Sequence, residues 1–282
     1  MTNKELTVII TTFRSEDKIE SCLNSIDSNI RVIVIENSSN QKFKNYIENK
    51  YSNIECILTN ENLGYGKANN IGLKKANTKY CLVLNPDTIL EKGAIEKFIS
   101  CAHENKNFYI IAPKQFKKEY SKNNTTIDHF TLFETDQVEG FAMFLNIEKF
   151  FKIGFFDENF FLYLEEIDLC KRVKNNNGKI FINPNIKIFH YGGKSVNQSL
   201  SYETELIRNW HWMWSLFYYN KKHFNYFYSL IMVLPKFFSA LFKSFFYKFV
   251  FNNKKSKIYS RRLSGLFNSI IGKSSWYRST LD

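Results

Sequence analysis

The chain has 282 residues, 44% hydrophobic and 23% charged, which excludes a disordered or fibrous protein and allows one large α/β domain with or without a helical appendage. The formal net charge is +12, and from Ser201 to Asp282 there are 13 Lys/Arg against 3 Asp/Glu, so the first 200 residues are nearly balanced. A basic, aromatic tail points to an anionic surface, lipid or nucleic acid. The five cysteines, Cys22, Cys56, Cys81, Cys101 and Cys170, form no CxxC pair and no disulfide-like spacing, and read as reduced thiols of a cytosolic protein.

In chain order, Leu6–Thr12 is a β-branched apolar run, too short for a signal peptide and read as a buried strand. Glu16–Ile26 places Ile19, Cys22, Leu23 and Ile26 at helical spacing. Arg31–Glu36 is a second strand, followed by a polar helix over Gln41–Lys50 and a third strand at Ile54–Leu58. Asn60–Gly72 reads as a loop entering a helix that runs to about Lys75. Tyr80–Leu84 is a fourth strand, stopped by Asn85-Pro86-Asp87, and a helix follows over Glu91–Glu104. Strands alternating with helices predict a mostly parallel sheet with helices on both faces, and ligands then bind at the carboxyl ends of the strands.

Tyr109–Phe150 mixes short strands and loops, with a loop at Asn123–His129; Glu165–Val173 looks helical, and Lys179–Asn183 and Ile186–Phe189 look like short strands. From Glu203 the pattern is helical and aromatic. The organisation predicted is a catalytic domain over residues 1–200 and a helical, basic segment over 201–282.

Four groups of residues carry candidate chemistry. Asp87, after a buried strand and a proline, suits a hard divalent cation, although Asp in that position also caps helices. Glu165, Glu166 and Asp168 crowd three carboxylates into one helical turn, where either a helix dipole with Lys171 and Arg172 or a catalytic function accounts for them. His190 ends a strand and precedes Tyr191-Gly192-Gly193, where backbone can approach a ligand closely. Asn62-Leu63-Gly64 with Asn69, Asn70 and Gly72 is a Gly/Asn-rich turn able to offer backbone N–H groups to phosphate, without the spacing of a P-loop or dinucleotide fingerprint.

Taken together these residues resemble glycosyltransferase family 2, in particular its rhamnosyltransferase-like members, over about Leu6 to Ser195. Thr11-Thr12-Phe13 is similar to the first-strand element of the nucleotide pocket, Glu36-Asn37-Ser38-Ser39 to the element contacting base and ribose, and Asn62-x-Gly64 with Asn69-Asn70-x-Gly72 to the sugar-nucleotide segment. Asn85-Pro86-Asp87 is similar to the metal motif, with Asp87 on the ion. Phe156-Asp157-Glu158 and Phe160-Phe161-x-Tyr163-x-Glu165-Glu166-x-Asp168 resemble the acceptor-side motif, placing Asp157, Tyr163 and Asp168 beside the acceptor. His190, with Gly193 and Ser195, is similar to the metal-ligand histidine element. The family usually has Glu-Asp-x-Asp where this chain has Glu165-Glu166-x-Asp168, which lengthens the second acid by one methylene.

The resemblance implies a GT-A fold, Rossmann-like with a mostly parallel central sheet, and an inverting transfer that uses Mn²⁺ or Mg²⁺ held by Asp87 and His190. Glu166 is the expected base, with Glu165 as the other candidate. The expected partners are a nucleotide-diphosphate sugar, with dTDP-rhamnose favoured, and a lipid-linked or oligosaccharide acceptor in cell-surface glycan synthesis. UDP-galactofuranose, UDP-hexose and UDP-N-acetylhexosamine donors stay open, as do an inactive sugar-nucleotide-binding protein and a homo-oligomeric state.

The stretch His223–Asn252 is the most apolar, but its longest uncharged run, Phe224–Pro235, falls short of the roughly 20 residues of a spanning helix. It reads as one or two amphipathic helices in the membrane interface, kinked at Pro235, with Trp210, Trp212 and Trp214 as an interfacial belt; a core helix pair is the alternative. The expected location is cytoplasmic, peripheral on the inner face of the membrane. Charge confined to the tail, without a reader motif, argues against nucleic acid. A nucleotidyltransferase would need glycines in the first loop that Thr12-Phe13-Arg14-Ser15 lacks.

Overall fold

The structure is a computed structural model that describes residues 4–116, 131–191 and 201–278. The Asn123–His129 segment, Gly193 and Ser195 lie outside the described residues. The chain divides into two compact units, Met1–Asp157 with Glu166–Ser195, and Glu158–Glu165 with Val196–Asp282.

The first unit is α/β. Four strands, β1 (Leu6–Thr12), β2 (Arg31–Glu36), β3 (Ile54–Leu58) and β4 (Tyr80–Leu84), coincide with the apolar runs predicted from sequence. All pair in parallel, in the order β3-β2-β1-β4. The sheet continues through β8 (Ala142–Asn146), β6 (Phe108–Phe116), β9 (Lys179–His190) and β5 (Thr88–Leu90), with β7 (Phe133–Glu134) also on β9. In this half the pairs β4–β8, β6–β8, β5–β9 and β7–β9 are antiparallel.

Alternation along β1 divides the core. Leu6, Val8 and Ile10 face helices α1 (Glu16–Leu23), α2 (Gln41–Lys50) and α4 (Ala94–Glu104), through Ile19, Phe43 and Phe98. Ile9 faces the other way, towards Leu73 of α3 (Tyr65–Lys75), Phe150 of α5 (Ile147–Ile153) and Leu169 of α6 (Glu165–Asn175).

Three of the boundaries that differ from the sequence reading have a local reason. α3 begins at Tyr65, so Asn69, Asn70 and Gly72 lie on a helix rather than in a loop; Gly64, at φ +79°, turns the chain into it. α4 begins at Ala94 rather than Glu91, because Thr88–Leu90 pairs with β9 and Gly93 turns the chain at φ +82°. The two short strands expected near Lys179 and Ile186 are one strand, β9. Its register against β6 jumps at Asn183–Lys187, around Pro184, which offers no N–H to the ladder.

The second unit is helical, with α7 (Ser201–His223), α8 (Tyr226–Phe249) and α9 (Asn253–Ile270). Met213 and Phe217 of α7, Val233 of α8 and Leu266 of α9 form its core. A Cβ on Gly265 would sit 2.1 Å from the Trp210 carbonyl oxygen, so only glycine admits this approach of α9 to α7. Trp210 and Trp214 are buried there with Tyr277, which corrects the interfacial belt: of its three tryptophans, Trp212 alone has substantial exposure, 39%. α8 runs unbroken through Pro235. The carbonyl that the proline leaves unbonded belongs to exposed Ile231, where water can satisfy it.

Candidate active site

Parallel pairing sets the carboxyl ends of β1, β2 and β4 side by side. Thr12 is in register with Glu36, and Ile10 with Leu84, the residue before Asn85. Thr11, Thr12, Glu36, Asn37, Asn85 and Asp87 therefore share one sheet edge, where open α/β sheets bind ligands. The Thr12 hydroxyl is buried there with no hydrogen-bond partner among the described residues. Phe13 follows at the edge with Arg14, whose φ is +49° and whose guanidinium lies over the Phe13 ring.

Several predicted residues hold this edge in shape. The Glu36 carboxylate accepts from the Ser38 N–H and hydroxyl and from the Asn40 N–H, fixing the turn after β2. Asn37 donates to Asn62 Oδ1 and to the Gly64 carbonyl and accepts from Leu63 N–H, tying β2 to the entry of α3. Thr11 donates to Asn69. Asn70, 3% exposed, both donates to the Phe156 carbonyl and accepts from the Phe156 N–H. The ideal Cβ of Gly72 would lie 2.6 Å from Ile9 Cγ2, so Gly72 lets α3 lie close on β1.

Asp87 and His190 meet because β5 pairs with the end of β9. Thr88 is in register with His190, and the Tyr191 N–H donates to the Asp87 carbonyl. The side chains then lie 3.3 Å apart, His190 Nε2 to Asp87 Oδ1, with Asp87 buried. The His190 ring stacks on Phe141 with centroids 4.8 Å apart and planes 9° apart. Phe141 is anchored in turn by its carbonyl, which accepts from the Asn85 N–H.

Gly140, one residue earlier, faces the second acid of the carboxylate cluster. An ideal Cβ on Gly140 would be 3.4 Å from Glu166 Cβ, and its carbonyl accepts from the Tyr65 hydroxyl at 2.6 Å. Adjacent Cα atoms are about 3.8 Å apart, so Glu166 and His190 pack against consecutive residues, Gly140 and Phe141. Burial pushes the Glu166 carboxyl above the usual carboxylate range; N–H groups at the start of α6 oppose this, and Glu139 adds to it.

The remaining acids differ in setting. Asp168, fully buried, accepts from Arg172 Nε at 2.8 Å. The Arg172 guanidinium also donates to the carbonyls of Ile153, Gly154 and Phe155, clamping α6 to the end of α5. Asp157 is half-buried. Glu165 is buried and belongs to the second unit, as does Tyr163, whose φ is +72° and whose ring packs edge-on against Trp212 at 5.5 Å. All five cysteines are buried, and burial pushes the Cys22, Cys56, Cys81 and Cys170 thiols up to about 12, leaving them inert as nucleophiles.

Gly140 and Phe141 are the site residues that sequence reasoning missed. The usable signal was a glycine just before the buried run Ala142–Asn146.

Among the described residues no three His, Cys, Asp or Glu side chains cluster as a metal site. Asp87 and His190 nevertheless offer an oxygen and a nitrogen donor within reach of each other, a pair that fits a divalent cation completing its shell from substrate oxygens.

Comparison with known proteins gives a consistent result. The family profile "Glycosyl transferase family 2" matches residues 7–170. A low-salt glycan biosynthesis hexosyltransferase of Haloferax volcanii is 28% identical over 195 residues, covering 61% of this chain and 62% of that protein, a little under two thirds of its length. A rhamnosyltransferase of Escherichia coli K12 is 24% identical over 220 residues, covering 65% and 82%. Among solved structures, GalNAc-T7 with UDP, GalNAc and Mn²⁺ superposes with a TM-score of 0.58 at 12% identity, over 69% of this chain and 44% of that one. Residues 1–349 of S. aureus TarS with UDP superpose with a TM-score of 0.51 at 16% identity, over 97% and 93%. These likenesses show the GT-A fold, with a helical segment following it.

Proposed function

Because the chain belongs to glycosyl transferase family 2, we propose that it is an inverting glycosyltransferase that moves a sugar from a nucleoside diphosphate to a hydroxyl of a lipid-linked or polysaccharide acceptor, at the cytoplasmic face of a membrane. The observation that carries this reading is the meeting of Asp87 and His190 at 3.3 Å, with Glu166 packed against Gly140, the chain neighbour of the Phe141 that stacks on His190.

The residues present do the following. The edge formed by Thr11, Thr12, Phe13, Glu36 and Asn37 receives the nucleotide, and the buried Thr12 hydroxyl gains a partner when it does. Asp87 and His190 would hold the divalent cation, Mn²⁺ or Mg²⁺, which when bound neutralises charge on the departing diphosphate. Glu166 takes the proton from the acceptor hydroxyl as that oxygen attacks the anomeric carbon, and its raised pKa brings its basicity closer to the working pH. A single displacement from the face opposite the leaving group inverts the carbon. Asp157 and Asp168 are the acceptor-side residues of the first unit in this reading, with Asp168 acting through Arg172 to hold α6 in place, and Tyr163 is the acceptor-side candidate of the second.

The favoured donor is dTDP-rhamnose, on the strength of the rhamnosyltransferases among the relatives. UDP-linked donors are the second choice, because both superposed structures were solved with UDP. A panel of dTDP- and UDP-sugars, assayed for nucleoside diphosphate release with and without Mn²⁺ or Mg²⁺, decides. Cation-dependent release from one donor supports the reading, and no release from any donor with any acceptor extract contradicts it.

A further inference from the structure

The second unit carries a surface that the transfer chemistry does not use. At 100° per residue, Phe227, Ile231, Phe238, Phe242, Phe245 and Phe249 of α8 fall within about 60° of arc, and each is between 59% and 82% exposed. Ser229, Val233 and Ala240, on the opposite side, are buried. By the same count Lys248 lies about 60° beyond one edge of the stripe, whereas Lys243 and Lys236 lie about 100° and 120° beyond the other, and all three are exposed. At the helix end, Phe245, Lys248, Phe249, Val250 and Phe251 line an open hollow of about 680 Å³.

We propose that this face of α8 lies in the plane of an anionic lipid bilayer, with its phenylalanines among the acyl chains and Lys248 at the phosphates. The surface deepens the proposed function by supplying a docking face, and it is tested without any enzymatic activity.

Charge decides the partner. Between residues 206 and 281 there are 13 Lys/Arg and no Asp or Glu. Facing a second copy, the stripe would bring like charges together around the buried phenylalanines, whereas anionic headgroups complement them. α9 adds Lys254, Lys255 and Lys257, with Lys255 over the Tyr247 ring and Lys243 over Tyr259, so ring contacts hold basic side chains of α8 and α9 together.

Packing decides the orientation. By length and composition alone α8 is able to cross a membrane, with a mean hydropathy of 1.4 in its most apolar window. Crossing would strip Val233 away from Met213, Phe217 and Leu266 and would bury Lys236 and Lys243 in hydrocarbon. An amphipathic helix lying in the interface keeps the core and leaves the lysines wet.

The test is flotation of the full chain with phosphatidylcholine vesicles, with and without phosphatidylglycerol. The expected result is binding to the anionic vesicles that weakens as salt rises and is released by alkaline carbonate. The triple variant Phe238→Ser, Phe242→Ser, Phe245→Ser should bind at least about tenfold more weakly. As a check independent of that variant's folding, Phe242→Cys adds an exposed thiol where the native cysteines are all buried. An environment-sensitive dye on it should shift to the blue on anionic vesicles only. Failure to float, equal binding to neutral vesicles, resistance to carbonate, or a dimer that the triple variant dissociates would each overturn the proposal.

Discussion

Asp87 Oδ1 and His190 Nε2 lie 3.3 Å apart because a three-residue strand, Thr88–Leu90, pairs antiparallel with the last residues of β9. The contact is a consequence of backbone register, so the two side chains are brought together before any substrate arrives. Preorganisation of this kind lets a site hold charge without rearranging during reaction.

Asp87→Ala or His190→Ala should therefore weaken donor binding, by at least about tenfold, equivalent to roughly 1.4 kcal/mol. Titration calorimetry with the matching nucleoside diphosphate in Mn²⁺ or Mg²⁺ measures this directly. Chelation should reproduce the loss in the wild type and add little to either variant. Wild-type donor affinity in both variants would remove the pair from the site.

Glu166 makes a prediction about pH. Its carboxyl is raised by burial, so the folded protein favours the neutral form more than the unfolded chain does. As a base it works only when ionised, so the acid limb of the kcat/KM profile should fall above the ordinary Glu value of about 4.3. The stability contribution has the opposite sense: it is fully present below the unfolded pKa and lost as pH rises through the raised folded one. Glu166→Gln should accordingly raise the thermal midpoint at neutral pH and leave it nearly unchanged in acid, which thermal melts at two pH values check.

Gly72 and Asn70 resemble sugar-nucleotide residues in sequence, but the structure places them against Ile9 and the Phe156 backbone. Gly72→Ala forces a methyl into Ile9 and should cost about 1–3 kcal/mol. Asn70→Ala leaves a buried N–H and C=O unpaired, at about 1–3 kcal/mol each. Urea unfolding should show both losses, while donor affinity of the folded fraction stays near wild type.

His211 gives the helical unit its own acid sensitivity. Its ring bridges the Ser275 hydroxyl at 2.8 Å and the Tyr277 carbonyl at 2.7 Å, and burial lowers its pKa to about 3 from an ordinary 6.5. The unfolded chain binds a proton that the folded one refuses between those values, so stability should fall as pH drops from about 6.5 to 3. In His211→Gln that slope should flatten, measured by tryptophan fluorescence, since Trp210 and Trp214 are buried beside it.

The sequence revealed most where burial is continuous. β1, β2 and β4 are the spans read from their apolar runs, because strands buried on both faces need no partner information to be recognised. β5 and the unbroken β9 were not legible: three residues carry no period, and Pro184 reads as a break when it marks a change of register. At the site, Asp87, His190 and Glu166 were visible as residue types with characteristic neighbours. Phe141 was not, since its place under His190 is fixed by a backbone bond to Asn85, far away in the chain. The Trp belt misled because indole rings suit a membrane interface and a helical core equally well, and only the close approach at Gly265 decides between them.

The most direct test of the account is transfer by Glu166→Gln, with donor affinity measured on the same sample. With the matching donor and a saturating acceptor, transfer should fall by about 10²–10⁴-fold while the nucleoside diphosphate sugar binds as tightly as to the wild type. Full transfer by the variant would contradict the account, because no carboxylate beside Asp87 and His190 would then be needed to take the proton.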